Sequence, residues 1–417
     1  MVKIAIVGGG VAGLTAAHRL RAKGYHDITV YEREASVGGK VFSYIHNGKA
    51  YELGALWSSP RYRIIGELAT QVGASRRADR LPAVLDQGST SRYAHYLRTH
   101  YRLRDIATAF AMLARTFLRY RVIRKSNLTG LPPAIAEDFD RFADREGFRA
   151  LADVSASFFT GCGYLQNDRV PAIYLMKMMH LFIDVLVVDV LGLKQTRIDI
   201  FDNGWQELWK AVAKDFDVRC SSTITRITRH TDNGHPKTVI TADDETEIYD
   251  RLILASPLDT SHLFMDLRPD ERELFAKIKT HRYKVTLIEA TSLPHASVVD
   301  HVPRTMTGHV NLIARQHRDA DVFTIYQQLE DVVDAEAATR LMFSDIAALG
   351  ARDARVVTAK TWNYFPHVST EDIRAGFYDA MNALQGKYGT FYVGSVMNME
   401  TVEHTAQFSV ELVDRCF

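Results

Sequence analysis

The chain of 417 residues carries 51 Lys and Arg against 50 Asp and Glu, and this balance (+1) gives no electrostatic footprint for nucleic acid. Hydrophobic residues make up 47% of it, a globular composition, and the length predicts two domains. The three cysteines (Cys162, Cys220 and Cys416) are spaced too widely to suggest a disulfide framework or a metal cluster, so no metal site is expected.

The first predicted element is an apolar strand, Lys3–Val7, of the kind buried in a parallel sheet. No apolar leader precedes it, so a reducing cytoplasm is the expected location. Gly8, Gly10 and Gly13 follow at the dinucleotide spacing and lead into a helix predicted over Leu14–Ala22. In that pattern Gly8 permits the tight turn and Gly10 lets the backbone approach a pyrophosphate. Gly13 lets the helix pack against the strand. A second strand, Ile28–Tyr31, ends in Glu32, where a carboxylate grips ribose hydroxyls and disfavours a 2′-phosphate. Gly38-Gly39-Lys40 then supplies a second flexible backbone patch with a cation, suited to the far side of a pyrophosphate. Tyr51-Glu52-Leu53-Gly54-Ala55 brings small residues, Gly54 and Ala55, to where a flat ring can lie against backbone. A simple NAD dehydrogenase does not need this second element.

Residues 76–199 read as largely helical. Within them "RLRDIATAFAMLARTFLRYRVIRK" (Arg102–Lys125) patterns as a helix with Ile106, Phe110, Leu113 and Phe117 on one face and arginines over much of the rest. Two readings stay open for it: ordinary packing on the substrate domain, or a weak peripheral contact with an anionic membrane. The longest apolar run starts at Leu181, carries Asp184 and Asp189, and is too short to span a bilayer. Asn203-Gly204 precedes a helix, and "VRCSSTITRITRH" from Val218 reads as two short strands. A hairpin and a buried strand follow, ending at Ala255-Ser256-Pro257.

Residues 263–368 alternate strands with a helix over Glu336–Ala348, and one of the strands reads "TWNYF" near its end. A period of two puts Trp362 and Tyr364 on one face and Asn363 and Phe365 on the other. His367, at the end of that strand, is placed to act as a base. His301, His309 and His404 have no neighbours at metal or triad spacing and read as ordinary polar residues. The last strand, Phe391–Val393, ends at Gly394, and a helix begins near Thr401.

Taken in order, G-x-G-x-x-G, Glu, G-G-K and E-x-G resemble the N-terminus of the FAD-dependent family of amine oxidases and phytoene desaturase-like enzymes. The resemblance implies an α/β fold, amine oxidase-like, in which a Rossmann-like FAD-binding domain (1–75, 200–262 and 370–417) carries an interleaved substrate domain of antiparallel sheet plus helices (76–199 and 263–369). It implies FAD as the cofactor, held by Gly8, Gly10, Gly13, Glu32, Gly39, Lys40, Gly54 and Ala55. Ile224 matches the position whose backbone meets the adenine. Gly394, Ser395 and Val402 match the C-terminal segment whose helix amides face the flavin pyrimidine. No cysteine occurs in that stretch, so the FAD is expected to be non-covalent.

The stretches "TWNYFPHVSTEDIRAGFYDAMNALQGKYGTFYVG", "CGYLQNDRVPAIYLMK" and "ITRITR" are further similar to the flavin-dependent polyenoic fatty acid isomerases of propionibacteria. That resemblance implies a small hydrophobic substrate, an unsaturated fatty-acid-like molecule whose double bond moves by hydride transfer to the flavin and back. An allylic cation needs a dry site and aromatic faces, and Trp362 and Tyr364 are the candidates to supply them. The arginine expected to hold a fatty-acid carboxylate aligns with Leu81-Pro82-Ala83, where none stands; Arg61, Arg197 and Arg282 are substitutes in nearby segments. Lys284 points the other way. It matches the lysine with which amine oxidases hold a water against flavin N5, which leaves oxidation of an amine or a C–C bond as the alternative activity. As an edge-strand lysine facing solvent it would do neither. The oligomeric state is not fixed by these patterns.

Overall fold

The computed structural model describes residues 2–86, 89–192, 198–293, 297–300, 307–330 and 333–417. The strand Ile4–Val7 sits at the centre of a five-stranded parallel sheet, between strands Arg251–Leu254 and Ile28–Tyr31, with Thr390–Tyr392 and Asp217–Arg219 at the two edges. All four residues of the central strand are buried, which is why they form an unbroken apolar run. Each of the larger ones contributes about 1.5–3 kcal/mol on leaving water. The helix Val11–Ala22 starts directly after Gly10, and Val402–Cys416 packs along it. Strands of this sheet come from widely separated stretches of chain, so the chain leaves the sheet and returns to it.

The excursions build a seven-stranded mixed sheet. Its order is Arg352–His367, Lys279–Thr291, Val322–Leu329, Val310–Ala314, Val298–Asp300, Ala83–Asp86 and Ser89–Ser91. The last two strands lie in a region that reads as helical; at four and three residues they are too short to show an alternating pattern. A further short strand, Arg76–Asp79, pairs antiparallel with Ile198–Phe201, and between these lie helices at Tyr93–His100, Leu103–Arg119, Phe139–Glu146, Arg149–Gly161 and Ala172–Val190, so the region is largely but not wholly helical. Helix Ala335–Ala348 covers one face of the sheet, setting Met342 and Ile346 against Ile288, Phe323 and Ile325. Among the described residues no helix is long and apolar enough to cross a membrane.

One strand departs from simple alternation. Tyr364 lies opposite His281 while His367 lies opposite Lys279, so Arg352–His367 holds one extra residue there. Phe365 takes it up with φ 51°, in the left-handed region. Its ring therefore does not point away from Tyr364 with Asn363. It lies 5.1 Å from the ring of Tyr164 and 5.5 Å from that of Tyr174.

Candidate active site

Two glycine patches face each other at the C-terminal edge of the parallel sheet. Gly38 N donates to Gly9 O at 2.9 Å, and a Cβ on Gly10 would sit 3.6 Å from Gly39 Cα, so only backbone lines the space between them. A Cβ on Gly13 would fall 2.0 Å from Gly8 O, which is why the helix can approach the turn only with glycine there. No acidic residue stands in the first turn of that helix, leaving its amides to an anion. The Glu32 carboxylate is buried and accepts from Gly9 N and Glu34 N, each at 2.8 Å; each oxygen keeps a second lone pair for a ribose hydroxyl. Ser222 N donates to Glu32 O at 3.0 Å and brings Ile224 alongside the same end.

At the other end, a Cβ on Gly54 would lie 1.9 Å from Lys40 O, so Leu53-Gly54-Ala55 forms a backbone wall with Ala55 beside it. Gly394 (φ 141°) turns the chain out of the last strand. Thr401 Oγ1 caps the helix beginning at Val402 by accepting from His404 N at 3.0 Å. The carboxylate of Glu403 is turned back onto Ile64 N and Ile65 N (3.1 and 3.2 Å). On the approach to this helix, the buried Asn398 Oδ1 has no protein partner. A backbone cradle, a ribose acceptor, a flat wall and a helix N-terminus with an orphaned acceptor nearby fit a dinucleotide that ends in a planar ring.

Lys40 does not stay with the phosphate patch. Its ammonium pairs with Glu400 Oε2 at 3.0 Å, which also accepts from Ser395 Oγ at 2.7 Å, and lies 5.5 Å from the ring centroid of Tyr364. It thus joins the glycine patch, the C-terminal segment and the aromatic strand at the ring end of the cradle.

Trp362 and Tyr364 share the face expected of them. Trp362 Nε1 donates to Leu53 O at 2.6 Å, and Tyr364 stacks on Tyr283 at 5.2 Å and 28°. Tyr164 lies 6.2 Å from Tyr364 and donates its hydroxyl to Glu400 O at 2.6 Å, while Tyr326 stands 5.9 Å from Tyr283. Burial pushes the hydroxyls of Tyr164, Tyr283 and Tyr364 and the thiol of Cys162 far above their usual ranges, so none of them is an ionised nucleophile. His281, edge-on to Tyr364 at 6.2 Å, is pushed down to about 4 mainly by burial, and His367 is lowered by the same cause; both are neutral at pH 7. Among the described residues this aromatic cluster carries charge at the Lys40–Glu400 pair and at Lys360, whose ammonium lies 5.0 Å from the ring centroid of Trp362.

Lys284 is not in this cleft. It sits between Tyr283 and Val285 on the strand, and the alternation turns it to the opposite face, where Nζ donates to Thr339 Oγ1 (2.7 Å) and Ala335 O (3.3 Å) of helix Ala335–Ala348. Nor does it face solvent, being 6% exposed. The substitute arginines are also engaged elsewhere. Arg61 forks onto Asp184 (2.6 and 2.7 Å), and Arg282 donates to the carbonyls of Glu330 and Val333 (3.0 and 2.9 Å). Arg197 and His301 lie outside the described residues. His309 bonds Asp345 at 3.0 Å and His404 bonds Thr401. Among the described residues no group of three or more His, Cys, Asp or Glu is set to hold a metal. The aromatic neighbours of this cluster not expected from sequence are Tyr164, Tyr283 and Tyr326; the alternation that turns Lys284 away was the available signal for Tyr283.

Glu52 is the structural hinge of the wall. Fully enclosed, its carboxyl accepts from Trp205 N and Ser43 Oγ (2.8 Å each) and is pushed up to about 8 by burial, against an opposing contribution from these hydrogen bonds. A carboxyl raised on folding favours the folded state fully below its unfolded value near 4.5, and that contribution is lost as pH rises through about 8. In this window each pH unit costs about 1.4 kcal/mol. Glu52→Gln keeps an acceptor for Trp205 N and removes the titration. Urea unfolding should therefore show the variant gaining on the parent between pH 5 and 8, the interval between the ordinary and the raised value of Glu52; parallel stability curves would contradict a protonated Glu52.

The family model for flavin containing amine oxidoreductase matches residues 11–299. The crystal structure of a CLA-producing fatty acid isomerase from P. acnes superposes with a TM-score of 0.90 at 28% identity, covering 100% of this chain and 99% of that one. Putrescine oxidase bound to putrescine gives a TM-score of 0.71 at 15% identity over 99% and 98% of the two chains, a likeness of fold. Among curated proteins, the FAD-dependent oxidoreductase dpasF of Apiospora sacchari is 23% identical over 434 residues, 94% of this chain and 88% of that protein. A polyenoic fatty acid isomerase of Ptilota filicina is 39% identical over 70 residues, 17% of this chain and 14% of that one.

Proposed function

Because the chain belongs to the flavin containing amine oxidoreductase family and its cofactor is FAD, we propose that it is a double-bond isomerase acting on an unsaturated fatty-acid-like molecule. The observation that carries this reading is the aromatic cluster of Tyr164, Tyr283, Tyr364 and Trp362 beside the Leu53–Ala55 wall, in which Tyr164 and Tyr283 are buried, Tyr364 and Trp362 are half-buried, and none of the tyrosines is an ionised nucleophile. The likeness to the P. acnes fatty acid isomerase over the whole chain supports it.

FAD held by the two glycine patches, Glu32 and the Leu53–Ala55 wall would supply a reversible hydride acceptor. The chain's own residues decide what happens meanwhile. The tyrosine faces lower the energy of an allylic cation by roughly 0.5–2 kcal/mol per well-placed ring. The burial of Tyr164 and Tyr283 behind Tyr364 limits the water that would trap it as an alcohol. Glu400 neutralises the Lys40 ammonium, which would otherwise repel the cation. Trp362, fixed to Leu53 O, holds the aromatic strand against the wall.

A second reading, oxidation of an amine or a C–C bond, is favoured by the cations over this face, Lys40 above Tyr364 and Lys360 above Trp362. Anaerobic incubation of the holoenzyme with linoleate and with aliphatic amines separates the two. Isomerisation gives a product of unchanged mass, oxidised flavin and the same turnover with or without oxygen. Oxidation gives bleached flavin, a product lighter by two hydrogens and turnover that requires oxygen. Lys284→Met should leave re-oxidation of the reduced flavin by O2 within about twofold, because its ammonium is spent on Thr339 and Ala335. A positioned charge acting on the reacting atoms would cost about 10²–10³-fold on removal, and a loss of that size would return Lys284 to the site.

A further inference from the structure

The helix Leu103–Arg119 is apolar on two sides. Its inner side buries Ile106, Ala109, Leu113 and Thr116 against the domain. Its outer side carries Leu103, Ala107, Ala111, Ala114 and Leu118, spaced three or four residues apart along one stripe, and all five are exposed. Leu103 and Leu118 are 72% and 71% exposed, among the most exposed large apolar side chains of the protein. The two leucines stand 15 residues apart on this helix, at the ends of a stripe about 22 Å long.

Charge follows the same surface. From Arg98 to Lys125 eight cationic side chains stand against one carboxylate, Asp105, in a chain whose net charge is +1. Asp105 pairs with Arg104, and Arg119 with Glu146. Arg102, Arg115 and Arg121 are exposed and make no ion pair among the described residues. The stripe ends in a turn that is pinned from below: the fully buried Lys177 donates to Ile123 O (3.2 Å) and Lys125 O (2.7 Å), so the helix cannot easily roll its outer face inward.

We propose that this face is a docking surface for an anionic phospholipid membrane. An apolar stripe flanked by arginines is the arrangement that lies in the headgroup plane, leucines towards the acyl chains and guanidiniums on phosphates. A folded protein partner of ordinary composition would leave these unpaired arginines desolvated against apolar surface, which the lipid phosphates do not. The helix packs on Arg149–Gly161, whose far end leads through Gly161, the acceptor for the hydroxyl of Tyr283, to Tyr164 in the aromatic cleft. Docking would thus bring the substrate domain to a source of apolar molecules, a consequence that rests on the function proposed above. The docking itself does not.

The test is co-sedimentation of the FAD-loaded protein with phosphatidylglycerol and with phosphatidylcholine vesicles at low salt. Phosphatidylglycerol vesicles should carry the protein down and release it at high salt, while phosphatidylcholine vesicles leave most of it in solution. The double variant Leu103→Glu/Leu118→Glu, changed at exposed positions, should keep its flavin and lose vesicle binding by at least about tenfold. Equal partition with and without vesicles would overturn the proposal, as would binding that is unchanged in the double variant or equal on both lipids. A second copy covering the stripe would show instead as a mass change between parent and double variant in sedimentation equilibrium, with vesicle binding unaffected, and would overturn it too.

Discussion

Gly13→Ala should give a protein that does not retain FAD through gel filtration. The added Cβ would lie 2.0 Å from Gly8 O and 3.1 Å from Ile6 Cγ2. The first of these is backbone of the turn, which cannot swing aside as a side chain would. Overpacking of a yielding core costs about 1–3 kcal/mol; here either the turn or the helix must move, and both hold the amides meant for the pyrophosphate. Gly10→Ala is the control. Gly10 has φ −82° and its Cβ would meet Gly39 Cα at an ordinary 3.6 Å, so the apo-protein should keep its stability within about 0.5 kcal/mol. The methyl would nevertheless stand between the two glycine patches, and the FAD dissociation constant should rise by at least about tenfold, a loss of some 1.4 kcal/mol. A yellow and stable Gly13→Ala protein would contradict the placement of the helix, and an unaffected Gly10→Ala would move the pyrophosphate elsewhere.

The cofactor half of this site is legible in sequence because each of its devices is local. A turn, a helix start and the end of the next strand lie within 30 residues, and the geometry of the turn demands glycine at positions that read as glycine. The substrate half is assembled from distant segments, and there local rules stop short. Period-two alternation correctly sets Trp362 beside Tyr364, yet the same rule applied one strand over assigns Tyr283 to the cleft and Lys284 to the far face. Resemblance to an oxidase lysine carries no information about which face the strand presents. Phe365 defeats alternation outright, because one extra residue and a left-handed φ are set by the pairing partner Lys279–His281, some 85 residues away in sequence, as the register shows. The position of Lys40 is equally non-local. Its main chain follows the phosphate patch as expected, but its long side chain is claimed by Glu400, and no pattern near residue 40 announces an acid near the C-terminus.

That pairing makes Glu400→Gln the substitution with the most informative effect on turnover. In the parent protein the Lys40 charge lies 5.5 Å from the centroid of Tyr364 and is answered at 3.0 Å by the Glu400 carboxylate. Glutamine can still accept from Ser395 Oγ, and the bond from Tyr164 goes to the main-chain carbonyl, so local structure has no reason to collapse. What changes is charge. An unanswered ammonium at this distance from a developing allylic cation costs about 3 kcal/mol at an effective dielectric constant near 20, and about 1–3 kcal/mol allowing for partial solvent access. Isomerase turnover at saturating FAD should therefore fall by roughly 5- to 150-fold. Lys40→Met/Glu400→Gln removes the cation as well and should restore turnover most of the way, since the pair rather than either member sets the field over the ring. An oxidase predicts the opposite sign: an added positive charge at the cleft favours the reduction of O2, and Glu400→Gln would speed re-oxidation of the dithionite-reduced protein. Unchanged turnover in Glu400→Gln, or a double variant as slow as the single one, would show that no positive charge develops over Tyr364 and would end the isomerase reading on the ground that supports it.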